Sequence, residues 1–221
     1  MTRLLVHLSG VEAPPEALEP EGPTDAAAHA AAAATLTDRN FATVDGFLGA
    51  AGAAALRAEV VQMVADGLLK PGLLEGGRAA QIRGDYVGWA DEGALLQYPG
   101  FGAYLSALDQ FVNLLGRTVP ELSGVGLSRQ RAMIANYPAA GARYARHVDN
   151  PNTNGRKMTV ILYLNPGWEL EHGGNLNIFT RKDPIGSGGS AASVAAEPRG
   201  DGSSIYNAAW PHEPPGDSCR K

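Results

Sequence analysis

The chain has 221 residues, a formal net charge of −5 and a single cysteine. Its length suits one domain with enough chain to bury a sizeable core, and its mildly acidic charge, with both signs intermixed, argues against a nucleic-acid partner. The lone cysteine excludes an internal disulfide, and no apolar run approaches the roughly 20 residues needed to cross a bilayer. We therefore expect a protein without a membrane span in a reducing compartment, cytoplasmic or nuclear.

The first 38 residues predict a tail rather than a folded element. Residues 1–11 are too short and too interrupted by polar side chains for a signal peptide. Four prolines punctuate the acidic stretch that follows, and an alanine-rich run then extends from Ala26 to Ala34. Alanine favours a helix, but a helix without an apolar stripe has little to bury. Residues 1–38 are thus predicted to be disordered or weakly ordered, with the folded domain spanning 39–221.

Two amphipathic helices are predicted in the first half of that domain. Residues 40–44 predict a short strand, and the next two residues predict a turn. From Leu48 the apolar residues recur on one helical face, until Gly67 ends the pattern. A second apolar stripe predicts a helix over residues 104–115. We expect both helices to pack on the core.

The second half of the domain predicts short strands. They are expected at residues 132–137, 143–148, 157–164 and 176–179. The third of them is apolar on both faces, which indicates a central, buried strand. Short strands separated by Gly, Pro and Asn turns favour a β-sandwich or jelly roll. Residues 180–221 are atypical, because their Gly-, Ser- and Ala-rich stretch at 186–196 favours a loop.

A candidate metal site lies near the second of these strands. His147 and Asp149 are separated by one residue, so on a strand their side chains point to the same face. A third ligand would complete the facial triad of a non-haem Fe(II) oxygenase, which leaves coordination positions open for substrate and dioxygen. The remaining histidines are the candidates for that ligand: His7 and His29 in the predicted tail, His172 beside Gly173-Gly174, and His212.

The surrounding residues resemble the prolyl 4-hydroxylases of the hypoxia-sensing type, which are Fe(II)- and 2-oxoglutarate-dependent dioxygenases. The longest matching word is Tyr144-Ala145-Arg146-His147-Val148-Asp149-Asn150-Pro151-Asn152. Further words follow in the family's order: Gly155-Arg156, Tyr163-Leu164-Asn165, Trp168 and Gly173-Gly174. Upstream, the resemblance includes Ile82-Arg83-Gly84-Asp85, Trp89 and the segment from Phe41 to Leu48. It covers roughly residues 40 to 180.

The resemblance implies a mostly β fold with flanking helices, namely a double-stranded β-helix (jelly roll) that the helices buttress. It implies His212 as the third metal ligand, because Pro211-His212-Glu213 matches the family's word at that position. The last core strand is expected to be missing, since the prolines at 214 and 215 cannot donate to a central ladder. Between the helices, residues 81–86 alone predict a surface turn with a local ion pair of little energy, and the resemblance makes Arg83 and Asp85 candidates for ordering a substrate loop.

The resemblance also implies a cosubstrate site. Tyr137, Thr159, Tyr163 and Leu176 match positions that line it, and Arg220 is the candidate anchor for the distal carboxylate of 2-oxoglutarate. The implied reaction couples oxidative decarboxylation of 2-oxoglutarate to the hydroxylation of a peptidyl proline, with L-ascorbate as the reductant. The implied partner is therefore a proline-containing protein or peptide, and the implied role includes oxygen sensing.

Three functions remain open from the sequence. The first is a peptidyl-proline 4-dioxygenase that acts on an intracellular protein. The second is an inactive or binding-only jelly-roll remnant that lost its cosubstrate anchor with the last strand. The third is a cupin-like metal protein with another chemistry. Residues 180–221 discriminate the first from the second, and dependence of turnover on 2-oxoglutarate discriminates the first from the third.

Overall fold

A computed structural model of the chain describes residues 2–11, 26–72, 83–90, 97–138, 142, 144, 155–174, 176–178 and 194–196. The helices are α1 (Ala26–Arg39), α2 (Gly49–Ala65) and α3 (Pro99–Thr118). The strands are β1 (Thr2–Val11), β2 (Lys70–Pro71), β3 (Tyr86–Ala90), β4 (Gly126–Arg129), β5 (Ala132–Asn136), β6 (Arg156–Tyr163), β7 (Leu176–Ile178) and β8 (Val194–Ala196). None of the helices in these ranges is long and apolar enough to cross a membrane.

Strand β1 lies at the centre of the main antiparallel sheet. Its first residues pair with β5 and its last residues with β4, while β6 pairs along Arg3–Ser9. Because the residues from Arg3 to Leu5 pair with both β5 and β6, these two strands lie on opposite edges of β1. Beyond β5 the sheet continues through β3 to β2. A separate two-stranded sheet is formed by β7 and β8.

The side chains of β6 lie on both faces of the main sheet. Met158, Val160 and Leu162 join the large hydrophobic core that contains the buried residues of all three helices. Ile161 and Tyr163 point to the opposite face, where they pack with β7. The side chains alternate because successive residues of a strand face opposite sides. The prediction that this strand is buried on both faces is therefore confirmed. Among the described strands β6 pairs only with β1, so its central position stays a prediction.

Helix α1 packs on α3 through small residues and one imidazole. Ala32, Ala33 and Leu36 are buried in the main core, so the helix docks although it has no wide apolar stripe. The ring of His29 meets the ring of Phe111 edge to face, with 5.5 Å between centroids. Burial lowers the pKa of His29, and a hydrogen bond to the Leu114 backbone offsets part of that shift.

The junction between α2 and α3 is held by carboxylates of α2 and of the residue that ends it. Glu59 accepts hydrogen bonds from the backbone N–H groups of Gly100 at 2.8 Å and Phe101 at 2.7 Å. These are unpaired donors in the first turn of α3, where a negative charge is also favoured by the helix dipole. Tyr98 donates to Asp66 at 2.6 Å, and this hydrogen bond raises the pKa of the Tyr98 phenol to about 12.

Two predictions for the N-terminal part are wrong. Residues 2–11 and 26–39 form β1 and α1 rather than a disordered tail. The residues that they pack against lie far away in sequence, so local patterns do not predict these elements. Residues 40–44 do not form a strand. Instead Asn40 ends α1 with φ of 61°, and its N–H donates to the Leu36 carbonyl at 2.8 Å. Residues 12–25 lie outside the described residues.

The other predicted elements agree where they are described. Helix α2, strand β5 and strand β7 occupy the predicted segments, and α3 extends the predicted helix to Pro99 and Thr118. In the predicted loop at 186–196, the last three residues form β8. Of the predicted strand at 143–148 only Tyr144 is described, in an isolated bridge with Arg83. The missing last strand and the remainder of 180–221 lie outside the described residues.

The docking of α1 can be tested by shortening Leu36, whose residue is 2% exposed. We expect Leu36→Ala to lower the free energy of unfolding by about 2–5 kcal/mol, because it removes buried apolar contact and leaves a cavity. Asp38→Ala is the control on the same helix, because the Asp38 side chain is 80% exposed and only weakly paired with Arg39. Urea unfolding measures both variants, and equal effects would contradict the docking of α1.

Candidate active site

The face of β6 opposite the helices carries two of the predicted cosubstrate residues. Thr159 and Tyr163 lie on either side of Ile161 along this face, and both are buried. Leu176 and Ile178 of β7 pack against Ile161 and Tyr163. The structure therefore brings together Thr159, Tyr163 and Leu176, as the predicted pocket requires, although their role in binding stays a prediction.

Tyr137 follows β5 and contacts a buried ion pair. Arg83 Nε donates to Asp85 Oδ1 and Arg83 Nη2 donates to Asp85 Oδ2, both at 2.7 Å. The two side chains are 8% and 0% exposed. Tyr137 donates a further hydrogen bond to Asp85. The prediction of a surface turn with a weak local ion pair is therefore wrong, because this pair is bidentate and buried.

Two neighbours enclose the ion pair. The Gly72 N–H donates to the Asp85 carbonyl at 2.7 Å, and a Cβ at residue 72 would lie 2.6 Å from Arg83 Nε. Only glycine allows this close approach. The Arg83 guanidinium lies over the ring of Tyr144, 4.7 Å from its centroid, and the two residues also form a backbone bridge. The segment that leads to His147 is thus attached to the ion pair at Tyr144.

The protonation states of the pair follow from its geometry. The hydrogen bond to Asp85 raises the pKa of Arg83 further above its ordinary value. Burial alone would raise the pKa of Asp85, but the hydrogen bonds and charge of Arg83, helped by Tyr137, outweigh it and hold that pKa below its usual range. Both groups are consequently charged at neutral pH, and the Arg83 charge is compensated by Asp85.

The predicted metal ligands His147, Asp149 and His212, and the predicted anchor Arg220, lie outside the described residues. The alternative ligand His172 lies in an exposed turn, where its Nδ1 accepts a hydrogen bond from the Glu169 N–H at 3.0 Å. Its ring is close to the carboxylates of Glu169 and Glu171. Exposed acidic groups cluster often without a metal, so this turn does not by itself define a metal site.

The donors on the β6 face fit a carboxylate-bearing ligand. Thr159 and Tyr163 each carry a hydroxyl group that can donate to a carboxylate oxygen, whereas the O–H of Tyr137 already donates to Asp85. The apolar side chains of Ile161 and Leu176 lie beside them and limit access of water. A ligand such as 2-oxoglutarate also needs a cation near its distal carboxylate, because a buried charge is costly unless it is paired.

Comparisons with known proteins identify relatives of the chain. Residues 132–216 match the model of the 2OG-Fe(II) oxygenase superfamily. Prolyl hydroxylase EGLN3 of Homo sapiens is 36% identical over 152 residues, which are 65% of this chain and 61% of that protein. The hypoxia-inducible factor prolyl hydroxylase of Caenorhabditis elegans is 30% identical over 154 residues, which are 66% of this chain and 21% of that protein. The chain therefore spans about three fifths of the length of the first relative and about one fifth of the length of the second.

Two solved structures resemble about four fifths of the chain. A Trichoplax adhaerens prolyl hydroxylase, in complex with a peptide fragment of the hypoxia inducible factor oxygen degradation domain, gives a TM-score of 0.68 at 25% identity. The match covers 81% of this chain and 78% of that chain. A Pseudomonas putida prolyl-4-hydroxylase gives 0.65 at 28% identity, covering 82% and 87%. These likenesses confirm the predicted jelly-roll fold with flanking helices.

The buried ion pair leads to a test with a matched control. We expect Arg83→Ala to lower the free energy of unfolding by about 3–5 kcal/mol, because Asp85 would remain buried without its partner. Arg129→Ala breaks a pair with Asp109 of similar geometry, at 3.0 Å, but with side chains that are 25% and 38% exposed. Its expected cost is about 0.2–1 kcal/mol, and urea unfolding at neutral pH compares the two.

The deficit of Arg83→Ala should shrink in acid. The folded-state pKa of Asp85 lies below its unfolded value, so its stabilisation is complete above the unfolded pKa and is lost as the pH falls through the folded pKa. In the variant, protonation instead removes an unpaired buried charge. A deficit that stays constant from pH 7 to about pH 3 would contradict a charged pair.

Proposed function

Because the chain carries a 2OG-Fe(II) oxygenase domain homologous to prolyl hydroxylases, we propose that it is a peptidyl-proline 4-dioxygenase that hydroxylates a proline of an intracellular protein. The observation that carries the proposal is the match to a peptide-bound prolyl hydroxylase over 81% of the chain, with donors for a carboxylate on the β6 face. The substrate would be a proline-containing segment of a cytoplasmic or nuclear protein.

Fe(II) would be held by His147, Asp149 and His212, whose imidazole and carboxylate groups form the donor set of a facial triad. When bound, Fe(II) and 2-oxoglutarate supply the activation of dioxygen, and 2-oxoglutarate leaves as succinate and carbon dioxide. L-Ascorbate would keep the metal reduced between turnovers.

The residues of the site have binding and orienting roles in this proposal. Thr159 and Tyr163 would donate hydrogen bonds to the cosubstrate, and Leu176 would exclude water from it. Tyr137, whose O–H already donates to Asp85, would line the cosubstrate pocket. For the distal carboxylate, the resemblance offers Arg220 as the cationic anchor. The Arg83–Asp85 pair holds Tyr137 by a hydrogen bond and Tyr144 by ring stacking, so its role would be to position the segments on which the site is built.

Turnover tests the proposed reaction. The full chain is incubated with Fe(II), 2-oxoglutarate, dioxygen and ascorbate, with and without candidate proline peptides, and succinate is measured. We expect succinate formation that rises with a suitable peptide, together with a mass gain of one oxygen atom on the peptide. The control peptide has alanine in place of the target proline. Binding of the peptide without any succinate would favour the binding-only remnant, and turnover without 2-oxoglutarate would favour another metal chemistry.

Metal content tests the triad separately. We expect His147→Ala and Asp149→Ala to lose tight Fe(II) binding, because each leaves at most two protein ligands. His172→Ala is the matched control, since it removes an exposed imidazole that the proposal does not use. Iron is quantified after gel filtration of the reconstituted proteins. Unchanged iron content in the first two variants, or loss of iron only in the control, would contradict the proposed ligand set.

A further inference from the structure

Strand β1 lies directly beside the candidate site. It is flanked by β5, which leads to Tyr137, and by β6, which carries Thr159 and Tyr163. The N-terminal strand is therefore part of the platform on which the cosubstrate residues are placed. The residues of β1 are therefore close to the site in the fold, although they are far from it in the sequence.

The register places Arg3 opposite Tyr163 in the sheet. Arg3 pairs with Tyr163 of β6 on one side and with Ala135 of β5 on the other. Residues that oppose each other in an antiparallel pair share one face of the sheet, and the diagonal neighbours two residues along lie on that face as well. Arg3 is thus placed on the sheet face of Tyr163 and Ala135, and Tyr137 follows two residues after Ala135. The same alternation places His7 opposite Thr159.

The charge on this face argues for a second cation. Arg83 is engaged by Asp85 through two hydrogen bonds, so its charge is already compensated. A dicarboxylate ligand therefore needs another positive group near Tyr137 and Tyr163. Arginine suits this position, because its planar guanidinium can donate two parallel hydrogen bonds to one carboxylate.

We propose that Arg3 is the anchor for the distal carboxylate of 2-oxoglutarate, in place of Arg220. The inference rests on the proposed function, since it assigns a residue of the same site. Backbone pairing on both edges of β1 fixes the backbone position of Arg3 when the sheet folds. An anchor that is positioned by folding loses less freedom when the ligand binds than one that must be ordered by the ligand itself.

The test separates the distal carboxylate from the rest of the cosubstrate. The full chain is loaded with Mn(II) in place of Fe(II), so that no turnover consumes the ligand, and is titrated by calorimetry. The ligands are 2-oxoglutarate and 2-oxobutyrate, which has the same 2-oxo acid head but no distal carboxylate. The variants are Arg3→Ala, Arg3→Gln and Arg220→Ala, with Arg117→Ala as the control because Arg117 is exposed on α3.

We expect the unmodified chain to bind 2-oxoglutarate about ten- to a hundred-fold more tightly than 2-oxobutyrate. Arg3→Ala and Arg3→Gln should abolish this preference while the affinity for 2-oxobutyrate stays the same. Arg220→Ala and Arg117→Ala should keep the preference. Near-ultraviolet circular dichroism checks that each variant is folded, and Arg3→Gln decides the question if Arg3→Ala does not fold.

Each other outcome overturns a definite part of the argument. A preference that survives in the Arg3 variants and disappears in Arg220→Ala would return the anchor to Arg220. Equal loss of both ligands in folded Arg3→Gln would show that Arg3 shapes the site without contacting the distal carboxylate. If the unmodified chain binds neither 2-oxo acid, the proposed function fails and the anchor falls with it.

Discussion

The structure depends on the backbone hydrogen bonds that β1 makes on both of its edges. Without this strand, β5 and β6 would each present an unpaired row of N–H and C=O groups, which is costly when buried and promotes association when exposed. β1 connects them into one sheet, and this sheet holds the helical core on one side and the candidate site on the other. The N-terminus of the chain is therefore a structural element of the domain.

The alternation of β6 couples the core to the site. Val160 and Leu162 are buried among the helices, whereas Thr159 and Tyr163 lie on the other face. A shift of one residue in the pairing would exchange these sets, and would bring hydroxyl groups into the hydrophobic core. The apolar residues that fix the register of β6 thereby also fix which side chains face the site.

Local patterns predicted much of this architecture, and the failures share one cause. The apolar periodicities of α2, α3 and β6 are carried by neighbouring residues, so the sequence alone reveals them. β1 forms a strand by pairing with residues such as Tyr163 and Ala135, which are distant in sequence, so no local pattern predicts it. Two of the four buried residues of α1 are alanines, whose small size permits close packing but gives no wide apolar stripe. The buried ion pair of Arg83 and Asp85 packs closely against Gly72, a contact that no local pattern shows. Among the site residues, the resemblance named Tyr137, Thr159, Tyr163 and Leu176, and the structure brings the last three together. Their roles and the metal ligands stay predictions.

Electrostatics connects the anchor to the rest of the site. Asp85 compensates Arg83, so the described ion pair brings no net charge to the β6 face. A divalent metal bound by Asp149 would retain a single positive charge, whereas 2-oxoglutarate carries a negative charge at each end. Burying that ligand beside Tyr163 thus leaves a charge that hydroxyl groups alone cannot compensate. A cation at the end of the ligand away from the metal restores neutrality, and the register that pairs Arg3 with Tyr163 makes Arg3 the proposed source of that cation.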